Sequence, residues 1–247
     1  MALYLVIILL SYSPATWAKK GLFSLSVTGY YDRSRLSRTS TTGPSFTLES
    51  MNGYTALGNV DINLAAKYSL FVSGGTSLFD YESTASRIIH DNRDNFINAS
   101  AGMKFFLGDL SLSLYALHKP IIIFEDVTSS ENNLIIAPNT YGTIGFNFGA
   151  TSRFYDLAIG LAGGTSVSSP SYQDKEIDSK YYLQGSISVR FGRKNKTVFE
   201  SVVGTGTFGA DELLYGFDVR LREDSYEYNN DIHRTTDFGG GIFILLQ

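Results

Sequence analysis

The fold is decided by residues 97–118, which read INASAGMKFFLGDLSLSLYALH. On both sides of Gly108 and Asp109, every second residue is apolar, and most residues between them are small or polar. A period of two residues is that of a β-strand, and glycine followed by aspartate favours a tight turn. The stretch therefore predicts two antiparallel strands with one apolar and one polar face.

The same alternation continues along the chain, in segments near residues 23–28, 54–64, 69–78, 144–148, 157–161, 183–191 and 238–246. Short connections at 65–67, 108–109, 149–153 and 192–196 alternate with long polar ones at 34–45, 82–94, 127–133 and 166–178. Short turns at one end and long loops at the other are typical of an up-and-down β-barrel that spans a membrane. None of the long loops is predicted to plug the barrel.

The strand count has two solutions. Separate strands at 197–207, 213–222, 225–230 and 234–247 give twelve, whereas one long bulged strand over 197–222 gives ten. We favour twelve. Both counts are even, which places both ends of the barrel domain on the same side of a membrane.

Composition excludes several classes of protein. Charged residues make up 18% of the chain and aromatic residues 14%, the net charge is −4, and cysteine is absent. Such a chain forms neither a disulfide scaffold nor a thiolate metal site. Because no basic stripe is visible, nucleic acid is not an expected partner.

The first eighteen residues differ from the rest. Leu3 to Leu10 form an apolar run, Pro14 interrupts it, and the small residues Thr16 and Ala18 follow. This pattern predicts a signal peptide over residues 1–18 and a barrel domain over 19–247. The alternative is a membrane anchor, but the run is shorter than the about 20 residues that span a bilayer.

A soluble β-sandwich also alternates, but three features favour the membrane. The segments are longer than the usual 5–6 residues. The polar face is rich in Ser, Thr, Asn and Gly, and tyrosine and phenylalanine cluster at segment ends. With the signal sequence and the two sizes of connection, the chain resembles bacterial outer-membrane β-barrels. It departs from them at its end, because Gln247 is not aromatic and Phe243 is the nearest aromatic residue.

The resemblance implies a bacterial outer-membrane location. The implied partners are membrane lipid, lipopolysaccharide and the barrel assembly machinery. Neither a cofactor nor an oligomeric state follows from it.

Seven charged residues fall on the inward face by alternation and are candidates for lining the lumen: Asp61, Lys104, Arg190, Glu200, Asp218, Arg220 and Arg222. They either create a field that sorts small polar solutes or neutralise one another in a narrow interior. Arg190, Arg220 and Arg222 are expected to form a local basic patch.

The chain has three histidines that are candidates for a catalytic role. His118 ends a strand, and His90 and His233 are placed in loops with aspartates nearby. An Asp/His cluster at the rim is one interpretation, but solvated loop residues are the simpler one. We therefore predict no catalytic, cofactor or metal residue and no enzyme.

The sequence favours a narrow passive channel for small polar solutes. The alternatives are a structural or surface-interaction barrel, serving adhesion or as a receptor, and a barrel lipid hydrolase or protease.

Overall fold

The computed structural model describes residues 23–41, 45–65, 67–81, 88–90, 93–126, 131–151, 155–168, 170–173, 175–193 and 213–246. The predicted signal peptide lies outside these ranges, as do Glu200 and the predicted strand at 197–207. Within them, no helix is long and apolar enough to cross a membrane.

Ten strands of the described residues close one antiparallel barrel, so the alternative count is confirmed and the preferred twelve is not. The strands are β1 (Phe23–Thr39), β2 (Phe46–Ala65), β3 (Tyr68–Asp80), β5 (Arg93–Leu107), β6 (Leu110–His118), β9 (Thr140–Thr151), β10 (Asp156–Ser166), β13 (Asp178–Arg193), β14 (Leu213–Tyr228) and β15 (Asp231–Leu246). Each pairs with its predecessor in this series, and β1 pairs with β15. We call the end where β1 begins and β15 ends the inner end, and the opposite end the outer end.

The twelve-strand interpretation divided the last part of the chain wrongly. Its strands 213–222 and 225–230 are one continuous strand, β14, which turns directly into β15. Asn229 and Asn230 make this turn with φ of 54° and 64°. Two consecutive residues with positive φ are characteristic of a type I′ hairpin turn, for which asparagine is well suited.

The outer surface of the wall is an apolar band. Val72, Ile97, Leu161, Phe217 and Ile242 point outward and are 59–71% exposed. Exposed tyrosines flank the band at both ends, with Tyr31 and Tyr54 towards the outer end and Tyr155 and Tyr215 towards the inner end. An apolar exterior between aromatic girdles is the surface that a barrel presents to lipid.

Among the described residues, five short strands lie in the connections at the outer end. They are β4 (Ile88–His90), β7 (Ile121–Asp126), β8 (Glu131–Ala137) and the pair β11 (Ser171–Tyr172) with β12 (Lys175–Glu176). β7 and β8 form an antiparallel hairpin, and β4 pairs in parallel with β8. We call the β7–β8 hairpin the cap.

Both faces of the cap are buried. Ile122, with Leu134 and Ile136, packs against a cluster that includes Leu36, Leu48, Phe79, Tyr81 and Phe96. Ile121, Ile123, Ile135 and Ala137 pack on the other side against Ile177, Tyr226 and Tyr228. Apart from Tyr81 and Ile177, which adjoin β3 and β13, these partners belong to the walls of the barrel, so the cap lies inside its outer end.

The expectation that no long loop plugs the barrel was therefore wrong. The sequence carried a signal in two uninterrupted apolar runs, Ile121–Phe124 and Leu134–Ala137. Such runs indicate strands buried on both faces, whereas an exposed hairpin alternates.

Candidate functional site

Buried charges fill the lumen directly below the cap. The Arg220 guanidinium, from β14, binds the Asp32 carboxylate of β1, with 2.8 Å between Nη2 and Oδ2 and 3.1 Å to Oδ1. The two side chains are 4% and 0% exposed. The same guanidinium lies 3.5 Å from the centre of the Tyr30 ring. A charge this deeply buried is tolerated because it is paired.

A second set of ion pairs crosses the lumen. Lys119 follows β6, and its Nζ lies 2.6 Å from Asp224 Oδ1 of β14 and 3.7 Å from Asp237 Oδ2 of β15. Arg222 Nη2 lies 3.2 Å from the same Asp237 oxygen. β6 and β14 are four steps apart in the ring of ten strands, in the order β14-β13-β10-β9-β6. These contacts therefore connect nearly opposite walls.

Hydrogen bonds join this network to the wall and the cap. Thr55 Oγ1 donates to Asp32, and Ser34 Oγ donates to Asp237 Oδ1 at 2.7 Å. Ser34 also contacts the Tyr81 hydroxyl at 2.9 Å, and Tyr81 belongs to one of the two clusters that hold the cap. We call Asp32, Lys119, Arg220, Arg222, Asp224 and Asp237 the outer network; its three acids and three bases balance.

Two tyrosines at the outer end are buried beside the cap and lie beyond the apolar band. Burial raises the pKa of Tyr81 well above its usual value, and the nearby Asp237 carboxylate raises it further. Burial also raises the pKa of Tyr226, with a smaller contribution from Asp224. Both phenols therefore stay protonated while the cap is in place.

The lumen opens into two cavities nearer the inner end. The larger one measures about 360 Å³ and is lined mainly by serine hydroxyls and small polar groups. The second measures about 230 Å³ and lies between it and the outer network, and Tyr30 lines both. Aromatic pairs narrow the passage, with Phe71 against Tyr115 and Tyr141 against Tyr182 at centroid distances of 5.6 and 5.3 Å.

Four of the seven candidate lumen residues line the larger cavity. Lys104 forms an ion pair with Asp61, and Asp218 lines the cavity together with Tyr30. Arg190 also lines this cavity, directly opposite Asp156 of the neighbouring strand. The cavity is thus polar without a dominant charge.

The expected basic patch does not form. Arg220 and Arg222 are neutralised in the outer network, while Arg190 lies level with Gly216, further towards the inner end. The register of β13 against β14 separates the three side chains along the barrel axis. This favours mutual neutralisation over a field that sorts solutes.

Among the side chains that the structure describes, His118 and His233 form no rim cluster that a substrate can reach. His233 lies in β15, is 1% exposed and stacks on Tyr226 at 5.4 Å, so its assignment to a solvated loop was wrong. His118 ends β6, as expected, with Nδ1 3.4 Å from Thr140 Oγ1. His90 lies in β4, and its side chain is outside the described part. Among the described residues, no group of three or more His, Asp or Glu is placed to hold a metal ion.

Sequence reasoning missed Asp32, Lys119, Asp224 and Asp237. The even-numbered positions of β1 point inward, and extending that alternation beyond Tyr30 would have found Asp32. Asp224 follows Arg222 on the inward face of β14, and Asp237 lies opposite Arg222 on β15, so the same extension would have found both. Only Lys119 required knowledge of the cap, because it is drawn into the lumen where the chain leaves β6.

A closed antiparallel barrel with an apolar outer band, aromatic girdles and a polar lumen defines a class of membrane protein. The chain is a bacterial outer-membrane β-barrel, and it resides in that membrane. Barrels of this class have short turns on the periplasmic side and longer loops outside the cell. We therefore assign the inner end to the periplasm and the outer end, with the long connections, to the cell exterior.

No protein-family profile and no curated protein sequence matches the chain. Solved structures with a similar architecture include the outer-membrane protease OmpT from Escherichia coli, at 8% identity and a TM-score of 0.49 over 94% of this chain and 99% of that one. An outer-membrane channel from Pseudomonas putida F1 gives 9% and 0.46 over 96% and 99%. The translocator domain of autotransporter NalP from Neisseria meningitidis gives 11% and 0.41 over 90% and 88%.

Proposed function

We propose that the chain is an outer-membrane barrel closed at its extracellular end, and that this end is its working part. The observation that carries the proposal is the cap, whose Ile121 and Ile123 are 0% exposed inside the barrel mouth. Burying each of these side chains stabilises the closed form by about 1.5–3 kcal/mol. Free diffusion of solutes through such a mouth is not expected.

We call the parts of the barrel wall beyond the apolar band, such as 222–228 of β14 and 46–50 of β2, the collar. The collar surrounds the cap and supports a role at the cell surface. On β14, the outward apolar residues end at Leu221, and the strand continues to Tyr228. Seven further residues at about 3.3 Å each carry the wall about 20 Å along the strand beyond the band. The collar and the cap share two hydrophobic clusters. The barrel thus presents a firmly packed extracellular surface, which suits a structural role or contact with a partner outside the cell.

A narrow channel for small polar solutes is the second candidate. The two polar cavities below the outer network favour it, because together they occupy much of the lumen. In this case the cap is a gate. It is attached where Lys119 N donates to Asn139 O at 3.0 Å, so that it can leave the mouth while β6 and β9 stay paired.

The proposal contains no catalytic step. His233, one of the two histidines of the rim hypothesis with His90, is covered by Tyr226 and packed away from solvent. Outer-membrane lipid and lipopolysaccharide around the band, and the barrel assembly machinery during insertion, are the partners that we propose for any form of the barrel.

Single-channel conductance in planar bilayers tests both candidates. The wild-type barrel is compared with a variant in which a short Asn-Gly turn replaces residues 120–138. The turn joins Lys119 to Asn139, which already lie at hydrogen-bond distance. A control variant carries the same turn in place of residues 173–174, between β11 and β12, and keeps Tyr172, which packs against one of the clusters that hold the cap.

A closed surface barrel predicts no steps from the wild type or the control. Frequent conductance steps from the wild type would overturn it in favour of the gated channel. Steps from the capless variant alone identify the cap as the seal. If neither the wild type nor either variant conducts, the outer network closes the lumen without the cap, and the channel hypothesis is wrong.

A further inference from the structure

A groove on the outside of the barrel interrupts the apolar band. It has a volume of about 700 Å³ and crosses strands β9, β10, β13 and β14. Gly163 and Gly185 form its floor, because neither residue has a side chain that projects from the wall. Its sides are apolar residues that are each at least half exposed: Ile144, Phe146, Leu161, Leu183 and Leu221.

The groove belongs to the extracellular half of the band. Leu221 is the last outward apolar residue of β14, and Glu223 closes the groove at that end. Gly185 pairs with Leu221, and Leu183 pairs with Glu223. The lipid beside the groove is therefore that of the outer leaflet.

Hydrogen-bonding groups stand at the extracellular end of the groove. The Tyr181 hydroxyl donates to Glu223 Oε1 at 2.5 Å, and Arg234 Nε lies 3.6 Å from the same oxygen. Arg234 is 52% exposed and Glu223 33% exposed. An amphipathic molecule in the groove meets donors and acceptors where its apolar part ends.

We propose that the groove binds one acyl chain of a lipopolysaccharide molecule, with the polar head of that lipid against Tyr181, Glu223 and Arg234. Surrounding lipid is as apolar as the groove, so affinity comes from close packing and from these polar contacts. A flexible methylene chain follows a narrow groove, which is continuous with the lipid-facing surface. This site goes beyond the role of the cap and does not depend on it.

Native mass spectrometry of the detergent-purified full barrel tests the site, with short-chain lipopolysaccharide as the added lipid. Gly185→Leu fills the groove. A Cβ at Gly185 meets only Leu161 Cδ2 at 3.8 Å, so the wall accepts the new side chain. Gly74→Leu is the matched control, because Gly74 is an outward glycine of β3 with nothing within 4 Å of its Cβ position.

The wild type and Gly74→Leu are expected to retain one lipid, and Gly185→Leu to lose affinity by about tenfold, corresponding to about 1.4 kcal/mol. Equal retention by all three overturns the proposal. A wild-type dimer that Gly185→Leu abolishes also overturns it, because the groove then holds a second barrel. Folding of each variant is checked by its heat-dependent mobility on gels.

Discussion

Arg220 reaches Asp32 across Gly239, the residue of β15 that lies between them in the wall. A Cβ at Gly239 would lie 1.9 Å from Asp32 Oδ1, so only glycine leaves room for this ion pair. Because β15 separates β1 from β14, the pair spans the strand that completes the barrel. The closing seam is thus held from inside as well as by its backbone hydrogen bonds.

Gly239→Ala is expected to destabilise the barrel by about 3–5 kcal/mol, the cost of breaking a buried ion pair while both charges stay in place. Urea unfolding followed by circular dichroism in lipid vesicles measures this change. Gly240→Ala is the matched control, since nothing lies within 4 Å of its Cβ position. A similar midpoint for the two variants would contradict the role assigned to Gly239.

Lys119→Met is expected to loosen the cap. The change removes the cation between Asp224 and Asp237 and leaves two buried carboxylates with less compensation. Amide hydrogen exchange in β7 and β8 should accelerate by at least about tenfold, equivalent to about 1.4 kcal/mol, while β2 and β3 stay unchanged. Lys175→Met, on an exposed β12 side chain, should leave exchange in the cap unaltered.

Stability is expected to fall as the pH rises above about 10, the usual pKa of tyrosine. Burial raises the pKa of Tyr81 and of Tyr226, so the folded barrel keeps protons that the unfolded chain releases at that pH. Both states hold these protons below pH 10, where the contribution is fully present, and it is lost as the pH rises towards the folded values.

The absorbance of tyrosinate measures how many tyrosines have lost a proton. The barrel contributes no tryptophan absorbance to this measurement, because Trp17, the one tryptophan, lies before it. The folded barrel should titrate fewer tyrosines near pH 11 than the unfolded chain does. Tyr226→Phe should reduce that difference. Identical titration curves for the folded and unfolded chain would refute the burial of these phenols.

Ile242→Lys tests the lipid-facing band. Ile242 is 64% exposed and pairs with Gly29 and Phe217 at mid-height of the wall. A lysine there should cost about 2–4 kcal/mol in vesicles, as expected for a charge at the bilayer midplane. Thr47→Lys is the control, because it places the same charge in the extracellular collar, where it should change the unfolding free energy little. An equal cost at both positions would argue against this membrane boundary.

The sequence predicted the wall well because alternation is a local property. Residues 97–118 form the hairpin of β5 and β6 that their pattern indicated, with the turn at Gly108 and Asp109. The strand count was harder, since Asn229 and Asn230 make a two-residue turn without glycine. The preferred count of twelve placed a break at residues 223–224, inside β14, and added a strand at 197–207, which lies outside the described residues.

The arrangement of the charges inside the barrel could not be predicted, because it depends on the register between strands, which is not a local property of the sequence. Arg190, Arg220 and Arg222 are inward residues of neighbouring strands, but alternation does not reveal their heights along the axis. Pairing of Asp32 with Arg220 joins residues from the first strand and the ninth. The cap was hidden for the same reason, because its apolar runs find partners only after distant strands meet.

The cap also constrains the order in which the chain is assembled. One side contacts Leu36 and Leu48 from the first two strands, and the other contacts Tyr226 and Tyr228 near the end of the chain. A hairpin that entered a finished barrel from its outer end would have to fit between both clusters after the surrounding strands had already paired. It is more direct for β7 and β8 to settle against the early strands while the sheet is still open. The pairing of β1 with β15 then completes the barrel around the cap.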